Sequence, residues 1–164
     1  MEKIESAQMT KRTVAVYCGA GGKMSQELKQ KAFDLGSELA KNGFNLVTGG
    51  ANVGMMKEVV DGHMQSDVSA QRHGVLPSIF RDFEIQHPAI LPDNMLWPTD
   101  VHGRLKSFYN LADDIVVMPG GFGTLHELMD CLVHIQFDLI TKRTFLVNLH
   151  NFWDPILEQF EVMV

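Results

Sequence analysis

The sequence places a cluster of glycines and a carboxylate where a strand is followed by a helix. Residues 115–118 form a short apolar run rich in β-branched side chains, which predicts a strand. A helical pattern begins at Leu125. Three glycines in four positions indicate that the backbone approaches something closely, and the start of a helix favours an anion. The residues of this turn, which we predict to bind a phosphate, are Gly120, Gly121, Gly123 and Thr124.

Glu127 lies one turn into the predicted helix. Its carboxylate would stand beside the bound anion, where a sugar attached to a phosphate would lie. Thr124 and Glu127 also fit a capping box, in which each side chain binds the backbone amide of the other residue. The glycines favour the ligand interpretation, because a helix cap needs only one residue of special geometry.

Two more glycine loops follow the first and second predicted strands. Gly19 belongs to the first loop, whereas Gly49, Gly50 and Gly54 belong to the second. Each loop alone is typical of an ordinary turn. In an open parallel sheet, however, the carboxyl ends of the strands share one edge, and ligands bind there. We therefore expect all three loops to contribute to one site.

Arg104 is the candidate cation for this site. It follows Asp100, which has the type and position of a helix N-cap, and it flanks the apolar stripe of its helix. A solvated surface arginine fits this pattern equally well. The helix nevertheless leads directly into the strand that precedes Gly120, so the guanidinium is expected near the same edge, where it can bind phosphate or carboxylate.

Strand-like runs alternate with helical segments along the chain. This alternation predicts an α/β fold, a Rossmann-like open parallel sheet with helices on both faces. Residues 66–94 are rich in turn residues and predict a short strand, a short helix and a long loop near the site. The predicted strands cover residues 13–17, 44–47, 74–76, 95–97, 115–118 and 144–149. The predicted core stripes of the helices are Leu28, Ala32, Leu35 and Leu39; Val101, Leu105, Phe108 and Ala112; and Leu125, Leu128, Leu132 and Ile135 or Gln136.

Length and composition limit the class of protein. The 164 residues predict one domain over residues 12–164, after a flexible N-terminal segment of residues 1–11. A net charge of −6 argues against a nucleic-acid polymer as partner. No apolar run approaches the roughly 18 residues that span a membrane. Two cysteines and no secretion signal favour a cytoplasmic location.

Several cofactor and metal motifs are incomplete. The first glycine loop has Met24 where a dinucleotide-binding loop has its third glycine, and the same residue breaks a phosphate-binding Walker loop after Lys23. The pair His126 and Glu127 lacks a second histidine, because Asp130 stands at that position. No lysine occupies an identifiable pyridoxal-phosphate setting. We therefore predict no cofactor and no metal.

The pattern as a whole resembles the LOG ("Lonely guy") family of cytokinin riboside 5′-monophosphate phosphoribohydrolases, whose members are often labelled lysine decarboxylases. The resemblance extends from about Val14 to Pro155. Residues 74–77, which end in Pro77, together with the later Glu84 and His87, also resemble the middle segment of the family. The residues that carry the resemblance are Gly49, Gly50, Gly54, Arg104 and the signature from Pro119 through Gly120, Gly121, Gly123 and Thr124 to Glu127.

The resemblance implies a Rossmann-like homodimer without a metal, with its sites near the subunit interface. It implies hydrolysis of the N-glycosidic bond of a nucleoside 5′-monophosphate, of the AMP or cytokinin riboside type, to free base and ribose 5-phosphate. The implied catalytic residues are Glu127 and Arg104. The implied phosphate-binding residues are Gly120, Gly121, Gly123 and Thr124.

Three features depart from the family pattern. Leu105 follows Arg104 where the family usually has lysine, and Ala20 replaces a frequent serine in the first loop. Homologues also tend to continue beyond the helix that starts near Trp153, so an end at Val164 predicts a clipped final helix. The alternative function is a non-catalytic carrier or sensor of a phosphorylated nucleotide or molybdenum cofactor, since such carriers have related glycine loops.

Overall fold

The computed structural model of the chain describes residues 11–21, 24–83 and 85–163. The N-terminal segment that the sequence predicts to be flexible falls outside this range except for Lys11, as do Gly22, Lys23, Glu84 and Val164.

Six strands form one parallel sheet in the order β4-β3-β2-β1-β5-β6. All five strand pairs are parallel, which confirms the predicted Rossmann-like α/β fold. Each strand that the sequence predicts is present, with ends displaced by no more than three residues. The strands are β1 (Thr13–Tyr17), β2 (Asn45–Thr48), β3 (Arg72–Val75), β4 (Met95–Leu96), β5 (Asp114–Val117) and β6 (Arg143–Leu146).

Helices cover both faces of the sheet, and the alternation of side chains along β1 explains why. Val14 and Val16 belong to a core cluster that includes residues of α1 and α2, whereas Ala15 and Tyr17 belong to a second cluster with residues of α3 and α4. Both faces of the strand are therefore apolar. The helices are α1 (Gln26–Lys41), α2 (Gly54–Ser66), α3 (Val101–Leu111), α4 (Phe122–Gln136) and α5 (Asp154–Met163). Short 3-10 helices cover Ser78–Phe83, Pro92–Asn94 and Leu149–Asn151.

The backbones of α1 and α2 touch at two glycines that the sequence analysis did not single out. A Cβ atom at Gly36 would lie 2.0 Å from the carbonyl oxygen of Val59, and one at Gly62 would lie 2.0 Å from the carbonyl oxygen of Phe33. Any larger residue at either position would force the two helices apart. This contact fixes α2, whose first residue, Gly54, is the last glycine of the second glycine loop.

The predictions for two helices need correction. Helix α4 begins at Phe122, three residues before Leu125, so Thr124 lies inside the first turn. The N-cap is Gly121, which makes no side-chain bond, and the capping box is therefore wrong. In α3, Asp100 caps the helix as predicted, because its side chain accepts a hydrogen bond from the amide of Gly103. Val101, however, is 45% exposed and lies outside the core.

The segment between α2 and β4 contains one short strand and two 3-10 helices, with irregular structure between them. Helix α2 extends to Ser66, and the predicted short strand is β3. The predicted short helix is a 3-10 helix at Ser78–Phe83, and a second 3-10 helix precedes β4. Within the described ranges, no helix combines the length and the apolar character needed to cross a bilayer.

Candidate functional site

Three loops meet at the carboxyl edge of the sheet. The chain leaves β1 and β5, which are neighbours, towards opposite faces, and the resulting crevice is where ligands bind in such sheets. The amide of Gly19 donates to the carbonyl of Pro119 at 3.2 Å, and the amide of Met55 donates to the carbonyl of Gly19 at 3.0 Å. The first loop thus connects the other two.

A cavity of about 890 Å³ opens at this edge. Its size lies in the range of roughly 300–1,000 Å³ that is typical of small-molecule sites. Arg104 and Glu127 contribute its charged groups. The predicted site residues that line it are Gly19, Arg104, Gly120, Gly121, Gly123, Thr124 and Glu127.

The N-terminus of α4 faces this cavity. The first bond inside the helix runs from the amide of Leu125 to the carbonyl of Gly121, so the amides of the three preceding residues have no acceptor within the helix. A Cβ atom at Gly121 or Gly123 would meet no other atom of the described chain within 4 Å. The described part of the chain therefore leaves space for a side chain at both positions, and the approach to these amides is open.

Gly120 has a different role in the same turn. A Cβ atom at this position would lie 2.1 Å from the Oγ1 atom of Thr124. The missing side chain therefore lets the Thr124 hydroxyl pack against the turn, where the residue is 4% exposed. Gly120 shapes the turn, and Thr124 supplies a hydroxyl group at the cavity wall.

The three glycines of the second loop do not line the cavity but shape its surroundings. Gly54 has a φ of 56°, and a Cβ atom there would lie 2.5 Å from the carbonyl oxygen of Ala20. Gly50 has a φ of 78° and packs against Gly74. A Cβ atom at Gly49 would lie 2.9 Å from the Nη2 atom of Arg104. These residues bring the loops and the guanidinium close together.

Arg104 and Glu127 form a buried ion pair. The Nη1 atom of Arg104 lies 2.7 Å from Oε1 of Glu127, and the two side chains are 18% and 5% exposed. The Nε atom of Arg104 donates to the carbonyl of Val75 at 3.1 Å. The guanidinium carbon lies 5.3 Å from the centre of the Phe108 ring. Arg104 therefore has a fixed direction, and it draws the Glu127 carboxyl into the cavity.

Burial changes the acidity of the site. The pKa of Glu127 is raised from 4.5 to about 7, because removal from water disfavours the carboxylate more than Arg104 favours it. Burial also raises the pKa of the Cys18 thiol, which lines the same cavity and stays protonated at neutral pH. Glu127 is thus the cavity-lining carboxyl group whose charge changes near neutral pH.

The apolar part of the cavity wall was missed by the sequence analysis. Met55 and Met56 belong to the first turn of α2, directly after Gly54, and both are buried. Their position immediately after a glycine loop was the available signal. The remaining apolar lining includes Met24, Leu28, Ala51, Val53, Leu76, Phe80, Ile85, Val101, Phe122 and Phe152. Among the residues that the structure describes, no group of three or more potential ligands could hold a metal ion.

The sheet order, the position of the cavity and the glycine turn define a Rossmann-like α/β protein whose site lies at the topological switch point. Residues 56–164 match the family model described as "possible lysine decarboxylase". The chain belongs to this family, the LOG family, as the resemblance predicted.

Curated relatives carry phosphoribohydrolase names. The rice (Oryza sativa subsp. japonica) cytokinin riboside 5′-monophosphate phosphoribohydrolase LOG is 29% identical over 153 residues, which are 93% of this chain and 62% of that protein. Arabidopsis thaliana LOG3 is 28% identical over 158 residues, which are 94% of this chain and 71% of that protein. The chain thus spans about three fifths of the length of the rice relative.

Solved structures share the fold. The molybdenum cofactor carrier protein from Chlamydomonas reinhardtii has a TM-score of 0.69 and 21% identity, over 93% of this chain and 84% of that chain. The molybdenum cofactor binding protein from Rippkaea orientalis has a TM-score of 0.64 and 21% identity, over 93% of this chain and 99% of that chain. At this identity the likeness concerns the fold alone.

Proposed function

We propose that this protein hydrolyses the N-glycosidic bond of nucleoside 5′-monophosphates and releases a free base and ribose 5-phosphate. The observation that carries the proposal is the buried ion pair of Arg104 and Glu127 beside the open amides of α4. A buried carboxyl group next to an anion-binding turn fits a substrate whose phosphate is joined to a sugar. The names of the family relatives agree with this reaction.

The glycine turn holds the phosphate in this proposal. Unpaired amides and the positive end of the helix dipole attract an anion, and the Thr124 hydroxyl adds a donor. Gly121 and Gly123 leave the approach open. The phosphate lies away from the bond that breaks, so its binding energy serves to orient the sugar. A nucleoside without phosphate should therefore be a poor substrate.

Glu127 stabilises the transition state. Cleavage of the ribosyl C–N bond builds positive charge on C1′ and the ring oxygen, as in glycoside hydrolysis, and the base departs with the bonding electron pair. In this proposal the Glu127 carboxylate accepts hydrogen bonds from the ribose hydroxyls and stabilises the developing positive charge. The carboxylate also takes a proton from the attacking water, whose oxygen bonds to C1′.

Arg104 has two functions in the same step. It holds Glu127 at 2.7 Å, and its charge offsets the negative charge that develops on the departing base. The departing base takes a proton from solvent and becomes the free base. Glu127 releases to solvent the proton that it took from water. The reaction is then balanced with water as the only co-reactant.

A panel of nucleoside 5′-monophosphates tests the proposed function. The panel contains AMP, other common mononucleotides and cytokinin riboside monophosphates, and chromatography follows base and sugar phosphate over time. We expect equimolar base and ribose 5-phosphate from at least one nucleotide, and little reaction with the matching nucleoside. Nucleotides that bind and are recovered intact would instead support the carrier function.

The second candidate is a carrier or sensor of a phosphorylated nucleotide or molybdenum cofactor. The cavity, at about 890 Å³, is near the upper end of the usual size for small-molecule sites, which leaves room for a larger ligand. Both functions predict stabilisation by ligand. Only hydrolysis yields two products, so the panel experiment separates the two candidates.

We further propose that two copies of the chain form a dimer whose interface lies near the site. Large apolar side chains that line the cavity are also exposed: Phe122 is 93% exposed, Val101 45% and Phe80 38%. Exposed apolar patches of this kind mark contact surfaces. Sedimentation velocity should give a dimer for the wild type and more monomer for Phe122→Ser. A monomer at all concentrations would contradict the proposal.

A further inference from the structure

The second glycine loop is paired with a later segment, residues 85–90, which we call the anchor segment. The amide of Asn52 donates to the carbonyl of Ile85 at 2.6 Å, and the amide of His87 donates to the carbonyl of Gly50 at 2.9 Å. Ala51 and Gln86 form an antiparallel bridge between them. The loop and the anchor segment are therefore joined into one unit by backbone pairing.

His87 attaches this unit to helix α2. His87 is buried, and its Nδ1 atom accepts a hydrogen bond from the amide of Ala89 at 3.1 Å. Nε2 must then carry the ring proton, which it donates to Oδ1 of Asp61 at 3.1 Å. Burial lowers the pKa of His87, so the ring is neutral at neutral pH. Asp61 also pairs with Lys57, on the preceding turn of α2.

The unit supplies part of the apolar cavity wall. Ala51 and Val53 of the loop and Ile85 of the anchor segment all line the cavity. Apolar side chains cannot bind a phosphate, and the ribose is assigned to Glu127. The base is the part of a mononucleotide that remains for this wall.

We propose that His87 is a positioning residue, which fixes the anchor segment and the second glycine loop on Asp61 so that their apolar wall meets the base of the bound nucleotide. This inference rests on the proposed function, because it takes a mononucleotide as the ligand. It assigns to His87 and Asp61 an effect on binding of the base, without contact to the substrate and without a part in the chemical step.

Asp61→Ala is the variant that tests the inference with the least damage. It leaves the His87 ring proton without its acceptor, while alanine keeps the helix intact. Lys57→Ala is the matched control, because it removes the other partner of Asp61 and keeps the bond to His87. Asp61→Asn should restore binding, because an amide oxygen still accepts the proton. His87→Gln, which keeps a donor at a similar reach, checks the result from the other side of the bond.

The measurements are KM and kcat with AMP as the probe, the inhibition constant of ribose 5-phosphate, and the melting temperature. We expect Asp61→Ala to raise KM by about 3- to 10-fold, the effect of one hydrogen bond, with kcat unchanged. Ribose 5-phosphate lacks the base, so its inhibition constant should stay at the wild-type value. Lys57→Ala, Asp61→Asn and His87→Gln should bind AMP much as the wild type does.

Three results would overturn the inference. One is an unchanged KM in Asp61→Ala. Another is a fall in kcat with KM unchanged, which would place the effect in the chemical step. The third is an equal loss of AMP and ribose 5-phosphate binding, which would indicate general loosening of the site.

The hydrolase proposal can fail separately. If the wild type binds AMP but leaves it intact, the hydrolase proposal fails, and calorimetric dissociation constants for AMP then replace KM in the same variants. A weaker affinity confined to Asp61→Ala would still support the positioning role, and equal affinities would overturn it. If another nucleotide of the panel binds and AMP does not, that nucleotide replaces AMP as the probe, and failure of the wild type to bind any nucleotide of the panel would overturn both proposals.

Discussion

At the scale of single residues, Glu127 is subject to two opposing effects. Burial alone would keep this carboxyl group protonated, and Arg104 at 2.7 Å alone would keep it ionised. Burial has the larger effect, which places the pKa at about 7. A carboxyl group in this state is available as a carboxylate at neutral pH and can also accept a proton during the reaction.

Glu127→Gln removes the charge and preserves the shape of the side chain. We expect turnover to fall by about 100- to 10,000-fold, because the positive charge on the ribosyl group loses its partner and water loses its base. The assay is release of free base under saturating nucleotide. The matched control is Asp130→Asn, a carboxyl group one turn further along α4 that does not line the cavity, and it should remain active. Wild-type turnover by a folded Glu127→Gln would remove Glu127 from the mechanism.

The pH dependence of activity should report the same carboxyl group. Because the ionised form is the active one and its pKa is raised to about 7, kcat/KM should rise with pH through about 7 and then level off. The phosphate of the substrate titrates near pH 6. Binding of ribose 5-phosphate to Glu127→Gln over the same range provides the correction for this titration, because that variant lacks the carboxyl group. A profile that is flat from pH 5 to 8 after the correction would show that this carboxyl group does not control the rate.

Stability should depend on pH with the opposite trend. The folded chain binds the Glu127 proton more tightly than the unfolded chain, since the pKa is raised from 4.5 to about 7. The stabilisation of the folded chain by this proton is fully present below pH 4.5. It is lost as the pH rises through about 7. Urea denaturation at pH 5 and pH 8 should show this fall in the wild type and a smaller fall in Glu127→Gln. An equal fall in both proteins would contradict the assignment.

The sequence alone predicted both members of the pair but not their contact. Glu127 follows a glycine turn that indicates a ligand, whereas Arg104 fitted a solvated surface residue equally well. Their meeting depends on where α3 crosses the sheet relative to α4, and on the Val75 carbonyl that directs the guanidinium. Neither is encoded in local spacing. The capping box is wrong because α4 begins at Phe122, so Thr124 lies inside the helix, and Glu127 pairs with Arg104 instead.

At the scale of elements, the glycines divide into two groups. Gly121 and Gly123 face open space, whereas Gly54 and Gly50 have positive φ angles and lie against other backbone atoms. The fold explains the second group, and we propose that a ligand explains the first. The sequence does not separate these groups, because the residue type is glycine in both. Only the backbone angles and the neighbouring atoms distinguish them.

Gly123→Ala and Gly54→Ala test this division with opposite expectations. Alanine at position 123 lies inside α4 and should stabilise the fold by about 0.5–1 kcal/mol, but its methyl group should obstruct the phosphate and raise KM. Alanine at position 54 should cost about 1–3 kcal/mol, because φ is 56° and the Cβ atom meets the Ala20 carbonyl. Urea denaturation and KM are measured for both. Unchanged nucleotide binding by Gly123→Ala would contradict the phosphate assignment.

Strands were easier to predict than the ends of helices. Runs of β-branched residues, such as residues 115–118, identify buried parallel strands, and only their ends shift when neighbouring strands pair. The sequence predicts the start of α4 three residues too late, because glycine lowers helix propensity although Gly123 lies inside the helix. The helical spacing of apolar residues predicts Val101 in the core. Val101 is the first residue of α3, however, and it lines the cavity.

At the scale of the whole molecule, the sheet order creates the site. β1 lies between β2 and β5, and the chain reverses its direction of winding there. The first glycine loop and the turn before α4 are consequently neighbours, although about 100 residues separate them in the sequence. Alternation of strands and helices predicted this class of sheet. The exact order follows from which apolar faces pack together, and no single segment contains that information.

A crystal structure of the protein with ribose 5-phosphate tests the central claim most directly. We expect the phosphate on the amides of residues 122–124 and the Thr124 hydroxyl, with the ribose hydroxyls on the Glu127 carboxylate and C1′ open towards the apolar wall. A sugar phosphate bound elsewhere, or a pentose beyond the reach of Glu127, would contradict the account.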